Sequence, residues 1–212
     1  NKFVIDIGSN DGILLKPLKK LGIDCLGIDP SFNVGEIANK KGLKTIIGFF
    51  DRRMVNKILK KYSKSDMVVA SSVVTHLKQP KQFAKNISKL LEKNGTLIIE
   101  IEYLYNFIKN LEFERFYFDR PFYYSIKSID TLFKSVDMSL IKVEKINVHG
   151  ESIRCYLINS KNHKKDKSLI SMMNKEKSNL NLSIFNSFNK NIRYESKMFV
   201  NKLNDFHKNN LN

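Results

Sequence analysis

The chain has 212 residues, enough for one full-sized domain with a buried core, or for one domain with an appendage. A formal net charge of +16 suggests nucleic acid or a membrane surface as a partner, but lysine supplies nearly all of this charge and is spread along the chain. The basic residues show no aromatic interleaving typical of RNA-binding motifs, and no apolar run approaches membrane-spanning length, so both partners are disfavoured.

The first elements along the chain predict a buried strand, a glycine turn and a helix. Residues 3–7 (FVIDI) form the strand, Gly8 and Gly12 bracket the turn, and a helix follows over residues 14–21. Such a turn presents backbone N–H groups to a ligand, and glycine lets the ligand approach closely. A second strand over residues 25–28 ends at Asp29, which is placed to accept hydrogen bonds from ribose hydroxyls. Together these features predict a cofactor that contains a nucleoside.

The spacing of the glycines favours S-adenosylmethionine (SAM) over a dinucleotide. Dinucleotide-binding turns read G-x-G-x-x-G, whereas this turn reads G-S-N-D-G and has Asn10 where that pattern wants glycine. The plainer alternative, a turn that merely joins a strand to a helix, is less favoured because Asp29 accompanies it. The predicted cofactor-binding residues are Asp6, Gly8, Ser9, Asn10, Gly12, Asp29, Pro30, Phe50 and Ser71.

Strand and helix patterns alternate as far as residue 101. Helices are predicted over 34–40, 54–61 and 83–91, strands over 45–47, 66–70 and 96–101, and a turn at Asn94-Gly95. Repeated βα units of this length predict an α/β fold with a mostly parallel, doubly wound sheet, in which ligands bind at the carboxyl ends of the strands.

The last third of the chain changes character. An aromatic-rich connection spans residues 103–125, followed by a helix over 129–135 and two strands over 140–147 and 152–158, joined at His149-Gly150. These two strands predict an antiparallel edge. Beyond them the sequence is polar, with apolar residues at helical spacing. We therefore expect a cofactor-binding domain over residues 1–160 and a basic helical extension over residues 161–212.

The two cysteines, Cys25 and Cys155, lie far apart and have no C-x-x-C partner. This pattern predicts free thiols in the reducing cytoplasm rather than a disulfide framework. No set of histidines, cysteines and carboxylates has metal-ligand spacing, so no metal is expected. No signal peptide is visible, and the sequence could be a piece of a longer protein.

Several of these segments together resemble the sugar C-methyltransferases. The resemblance rests on IDIGSNDGILLKPLKKLG, LGIDPS, the doublet FF, THL, IIEIEYL and VHGESIRCYL, and covers roughly residues 3–160. It implies a Rossmann-like class I methyltransferase fold with an antiparallel C-terminal edge, SAM as cofactor, and a small nucleotide-linked sugar as acceptor. The zinc-binding module and further C-terminal domain that usually flank this core in the family are not in the sequence.

The resemblance also indicates catalytic residues, with one departure. The family's Y-x-E-H segment, whose histidine is thought to remove the acceptor's proton, corresponds here to Tyr117, Phe118, Asp119 and Arg120. Arginine stays protonated and cannot serve as a ready base, but it can clamp a phosphate or carboxylate. His76 matches another family histidine and becomes the strongest base candidate.

The remaining candidates have smaller expected roles. Tyr117 could donate a hydrogen bond to the acceptor, and Asp119 could act as a base or pair with Arg120. His149 could border the site or simply form a turn. Loss of the family histidine makes O-methylation a rival to C-methylation. An RNA methyltransferase and a non-catalytic SAM-fold module remain as alternatives.

Overall fold

The computed structural model describes residues 2–148 and 151–209. A seven-stranded sheet has the order β3-β2-β1-β4-β5-β7-β6. Strand β7 is antiparallel to β5 and β6, whereas the pairs β1–β2, β1–β4, β2–β3 and β4–β5 are parallel. The strands are β1 (Phe3–Ile7), β2 (Asp24–Asp29), β3 (Thr45–Ile47), β4 (Ser65–Ser71), β5 (Leu91–Glu102), β6 (Ser139–Ile146) and β7 (Ser152–Ile158). The predicted fold class is confirmed.

Helices join these strands and extend beyond the sheet. They are α1 (Leu15–Lys20), α2 (Phe32–Lys40), α3 (Arg52–Lys61), α4 (Pro80–Leu90), α5 (Leu104–Lys109), α6 (Ile126–Lys134), α7 (Lys167–Asn179) and α8 (Leu182–Asn209). Several begin earlier than their apolar pattern predicts, because a capping residue lies upstream of the first apolar one. Asp51, for example, caps α3 by accepting a hydrogen bond from the N–H of Met54.

Two features of the chain differ from the sequence-based expectation. Helix α5 lies inside the aromatic-rich connection, where the sequence predicts no helix because six residues are too few to show a helical period. The predicted Asn94-Gly95 turn falls within the span of β5, where Asn94 has a positive φ of 63° and the register with β4 shifts. The predicted His149-Gly150 turn lies outside the described residues.

The core lies between the central strands and the flanking helices. Ile5, Leu26, Val68 and Leu97 are fully or almost fully buried, as expected for parallel strands that are covered on both faces. Helix α7 joins this core through Leu169, whereas α8 contains no buried residue. The division at residue 160 stays a prediction. Among the described residues, no helix is long and apolar enough to cross a membrane.

Candidate active site

A cleft of about 610 Å³ opens at the carboxyl ends of β1, β2 and β4. This size is within the usual range of small-molecule sites. Its wall includes six of the nine residues predicted to bind the cofactor, as well as the predicted base His76. The six are Gly8, Asn10, Asp29, Pro30, Phe50 and Ser71.

The loop after β1 has the backbone conformation that the glycine pattern predicts. Gly8 has φ +75°, and a Cβ atom there would lie only 2.6 Å from Cγ2 of Val73. Its N–H donates to the carbonyl oxygen of Ile28 at 2.8 Å, which ties the loop to β2. Glycine is therefore required at this position both by the backbone angle and by close packing.

Asp29 is the most strongly positioned polar group in the cleft. Its side chain is almost fully buried, with one oxygen accepting from the N–H of Asn10 and the other from the N–H of Ser31, both at 2.8 Å. A carboxylate has about four acceptor sites, so these two bonds orient the group and leave further sites for ligand hydroxyls. This arrangement fits the ribose of a nucleoside-containing cofactor such as SAM.

Three predicted cofactor residues lie behind the cleft wall. Burial, and secondarily the nearby charge of Asp29, raises the pKa of Asp6 to about 7. Ser9 is buried, and its Oγ has no hydrogen-bond partner among the described residues. At Gly12 a Cβ atom would lie 2.4 Å from Leu43, so this glycine allows close packing of the loop on the core. Direct cofactor binding by these three residues stays a prediction.

Two adjacent phenylalanines border the cleft in different ways. Phe50 packs edge-on against Phe83, with ring centroids 5.5 Å apart. Phe49 also lines the cleft, but 78% of it is exposed. The sequence predicts that Phe50 or a close neighbour borders the cofactor, and both members of the FF doublet line the cleft. A flat exposed ring of this kind is available to stack on a bound ligand.

The predicted base His76 ends a short 3-10 turn after β4 (Val74–His76) and lines the cleft. Its Nδ1 atom lies 3.3 Å from Oδ2 of Asp119, which comes from the aromatic connection after β5. The structure thus brings together two predicted catalytic residues that are far apart in sequence. Both side chains are partly exposed, at 41% and 69%, so a substrate can reach them.

The other two predicted catalytic residues lie on the same connection as Asp119. Arg120 pairs with Glu102 at the end of β5, and its guanidinium lies 4.6 Å from the centre of the Tyr117 ring. The backbone N–H of Tyr117 donates to the hydroxyl of Tyr123 at 2.7 Å. Asp119 therefore contacts His76 while its expected alternative partner, Arg120, is engaged by Glu102. Roles in catalysis for Tyr117 and Arg120 stay predictions.

Sequence reasoning missed Glu102, although its position at the carboxyl end of a central strand could have indicated it. Its carboxylate lies between Arg120 and Arg115, the latter at 3.8 Å. Across residues 2–148 and 151–209, no group of three or more histidine, cysteine or acidic side chains could hold a metal ion.

The fold and the cleft define a nucleoside-binding α/β protein, and comparison with known proteins gives the family. Residues 1–143 match a family model described as "Methyltransferase domain". This match covers more than half of the chain, which therefore belongs to the class I SAM-dependent methyltransferase family. The predicted enzyme class and the cofactor SAM are confirmed at this level.

Individual relatives are more distant. The chain is 29% identical to the C-methyltransferase NovU of Streptomyces niveus over 150 residues, which cover 71% of this chain and 36% of that protein. It is 32% identical to the ubiquinone biosynthesis O-methyltransferase of Pelagibacter ubique over 96 residues, 45% of this chain and 40% of that protein. The chain thus spans two fifths or less of the length of these two relatives.

Solved structures share the fold. The magnesium protoporphyrin IX methyltransferase of Synechocystis, with bound SAH, superposes with a TM-score of 0.58 at 16% identity, covering 74% of each chain. A methyltransferase in complex with the Trm112 activator of Haloferax volcanii has a TM-score of 0.60 at 14% identity, covering 76% of this chain and 83% of that one. These similarities describe the architecture alone.

Proposed function

We propose that this chain is the SAM-binding core of an enzyme that methylates a small sugar-like acceptor, nucleotide-linked or phosphorylated, in the cytoplasm. The His76–Asp119 pair at the wall of the cleft carries this proposal, because it offers a proton acceptor beside the cofactor site. The relative NovU is a C-methyltransferase, which supports methyl transfer, while the sugar class of the acceptor rests on the resemblance to the sugar C-methyltransferases.

Each group in the cleft has a separate part in the reaction. When bound, SAM supplies a methyl group that its sulfonium has already activated. The carboxylate of Asp29 and the loop at Gly8 would hold the nucleoside, and the N–H groups of Asn10 and Ser31 already orient that carboxylate. Nδ1 of His76 lies 3.3 Å from the Asp119 carboxylate. We assign Asp119 the role of orienting the imidazole, so that Nε2 of His76 takes a proton from the acceptor.

The His76–Asp119 pair is compatible with methylation of either a carbon or an oxygen atom of the acceptor. C-methylation next to a ketone requires removal of a C–H proton, whereas O-methylation requires removal of a hydroxyl proton or no base at all. NovU is a C-methyltransferase and the ubiquinone-pathway relatives are O-methyltransferases. Incorporation of solvent deuterium at the reacting carbon would identify the first reaction.

The test compares His76→Ala with the wild-type chain in two measurements. We expect micromolar SAM binding by calorimetry in both proteins, and loss of methyl transfer to nucleotide-linked keto sugars in the variant by at least a hundredfold. His163→Ala, which changes an exposed histidine outside the cleft, is the matched control. A fully active His76→Ala variant would remove His76 from the mechanism.

A hydrophobic acceptor is the second candidate, because exposed aromatic side chains lie in the cleft wall and on the connection that carries Asp119. Phe49 of the cleft wall is largely exposed, and on that connection Phe118 is fully and Phe122 partly exposed. The relationship to ubiquinone biosynthesis O-methyltransferases agrees with O-methylation, and we propose apolar phenols as the acceptors to test for it. Competition between such phenols and nucleotide-linked sugars in one methylation assay would decide between these classes.

A small-molecule acceptor is also preferred over RNA and over a purely structural role. RNA binding whose affinity falls with salt concentration would favour an RNA methyltransferase. The slope of log affinity against log salt concentration would then report the number of phosphates contacted. SAM binding without turnover on any acceptor would favour a non-catalytic module.

A further inference from the structure

The geometry points to Glu102 as a positioning residue that holds Asp119 against His76 through Arg120, an inference that rests on the proposed role of the His76–Asp119 pair. Glu102 is the last residue of β5, and its side chain is 11% exposed. It is therefore anchored in the central sheet, close to the strand ends that form the cleft.

The connection after β5 is fastened to the sheet at this carboxylate. Arg120 pairs with one oxygen of Glu102, and Arg115 lies 3.8 Å from the other. Both arginines are mostly buried, so the attraction between the charges is weakly screened. Arg120 is the main tie between the loop and Glu102, since Arg115 has a nearer partner in Glu112 at 2.9 Å.

Asp119 depends on this anchor for its position. It adjoins Arg120 in the chain, so the two Cα atoms are about 3.8 Å apart. The Asp119 side chain is 69% exposed, and its described ion pair is the one with His76. With little packing of its own, this carboxylate is placed by the neighbouring guanidinium, which Glu102 and the ring of Tyr117 hold from two sides.

The chain offers a matched control on the same strand. Glu100 lies two residues before Glu102 on the same face of β5 and also pairs with an arginine. Its partner is Arg154 of β7, at 2.6 Å, rather than a residue of the aromatic connection. Glu100→Gln therefore breaks a comparable ion pair without loosening the loop that carries Asp119.

The first measurement is independent of turnover and uses NMR of the His76 ring in the full chain. In Glu102→Gln, we expect the ring resonances to move toward those of Asp119→Asn, and in Glu100→Gln we expect them to stay at the wild-type position. Thermal unfolding checks that each variant is folded. Unchanged His76 resonances in a folded Glu102→Gln variant would overturn the inference.

The second measurement is a double-mutant cycle on methyl transfer. Glu102→Gln should lower kcat on the order of tenfold to a hundredfold while leaving the SAM Kd within about twofold, since only the orientation of the catalytic pair changes. Because Glu102 acts through Asp119, adding Glu102→Gln to Asp119→Asn should cause no further loss. Losses that multiply would show an independent role and overturn the inference.

These outcomes separate the inference from the proposed function. If His76→Ala is inactive while Glu102→Gln behaves like Glu100→Gln, the proposed function stands and the positioning role fails. If no acceptor is methylated, the proposed function fails and the NMR comparison still decides whether Glu102 positions Asp119.

Discussion

At the scale of single residues, Asp29 has the clearest expected effect on cofactor binding. Replacing it with alanine removes the acceptor for the N–H groups of Asn10 and Ser31, and with it the carboxylate that we propose binds the ribose hydroxyls. We expect SAM binding to weaken by about 1–3 kcal/mol, or roughly 5- to 150-fold in Kd by calorimetry. Asp24→Ala, at the exposed opposite end of β2, is the control. Equal affinity in both variants would contradict the placement of the ribose.

The buried carboxyl group of Asp6 gives a prediction about stability and pH. Its pKa rises from 3.8 to about 7 on folding, so the folded state disfavours the ionised form. The free energy of unfolding is therefore little affected by Asp6 below about pH 4. It falls as the pH rises, and the full loss is reached above about pH 7. Asp6→Asn removes this loss.

Between pH 4 and pH 8, the Asp6→Asn variant should therefore become more stable relative to the wild-type chain, as measured by the free energy of unfolding. The expected shift is on the order of 2–4 kcal/mol, from about 1.4 kcal/mol for each pKa unit. Urea titrations without SAM at several pH values measure it, and Asp24→Asn serves as an exposed control. A difference that does not vary with pH would show that Asp6 ionises normally.

At the scale of elements, a buried glutamate joins α7 to the start of α6. Glu176 accepts hydrogen bonds from the backbone N–H groups of Ile126 and Lys127, at 2.7 and 2.9 Å, and from the hydroxyl of Tyr103 at 2.9 Å. Burial, and then the charge of Glu176, raises the pKa of Tyr103, which stays protonated and can donate. A negative charge at the N-terminus of α6 is also favoured by the helix dipole.

Glu176→Ala should destabilise the chain by about 2–5 kcal/mol, because two buried donors and one partly buried donor lose their acceptor together. Urea unfolding measures this loss. Glu195→Ala, on the exposed surface of α8, should change stability by less than about 0.5 kcal/mol. If both variants unfold alike, α7 contributes little through this contact.

A comparison of predicted and observed bounds shows which helices and strands are encoded by neighbouring residues in the sequence. The bounds of β3 and β7 follow from the sequence, because β3 is a short apolar-rich run and β7 an alternating strand pattern, each bounded by turn residues. Helices α3, α4 and α6 start earlier than predicted, since Asp51, Pro80 and Ser125 begin them ahead of the first apolar residue. Those residues are readable in the sequence, whereas the six residues of α5 depend on packing around Phe107.

At the scale of the whole molecule, one part of the candidate site could be predicted from the sequence and another part could not. The glycine loop and Asp29 could be predicted because they belong to one βα unit, in which sequence order fixes position. The contacts of His76 with Asp119 and of Arg120 with Glu102 bring separate parts of the chain together at the strand ends. His76, Asp119 and Arg120 were predicted as candidates, but their pairing requires the tertiary fold. Glu102 was missed because its role depends on that pairing.

The two C-terminal helices contribute unequally to the molecule, although composition alone groups them into one extension. Helix α7 buries Leu169 in the core and places Glu176 against α6. Helix α8 has no buried residue and contacts the body through partly covered rings such as Phe188, 6.0 Å from Phe116. Stability should therefore depend on α7 far more than on α8.

Truncation tests this difference and the proposed boundary at residue 160. A chain that ends at Asn181 should still unfold cooperatively, with Tm lowered by about 2–6 °C, since partly buried rings account for roughly 1–2 kcal/mol. A chain that ends at Ser160 should lose about 4–8 kcal/mol through Leu169 and Glu176, which is comparable to the stability of a whole domain. Calorimetric scans of both truncations would show the contrast, and a cooperative transition in the shorter chain would establish residues 1–160 as an independent domain.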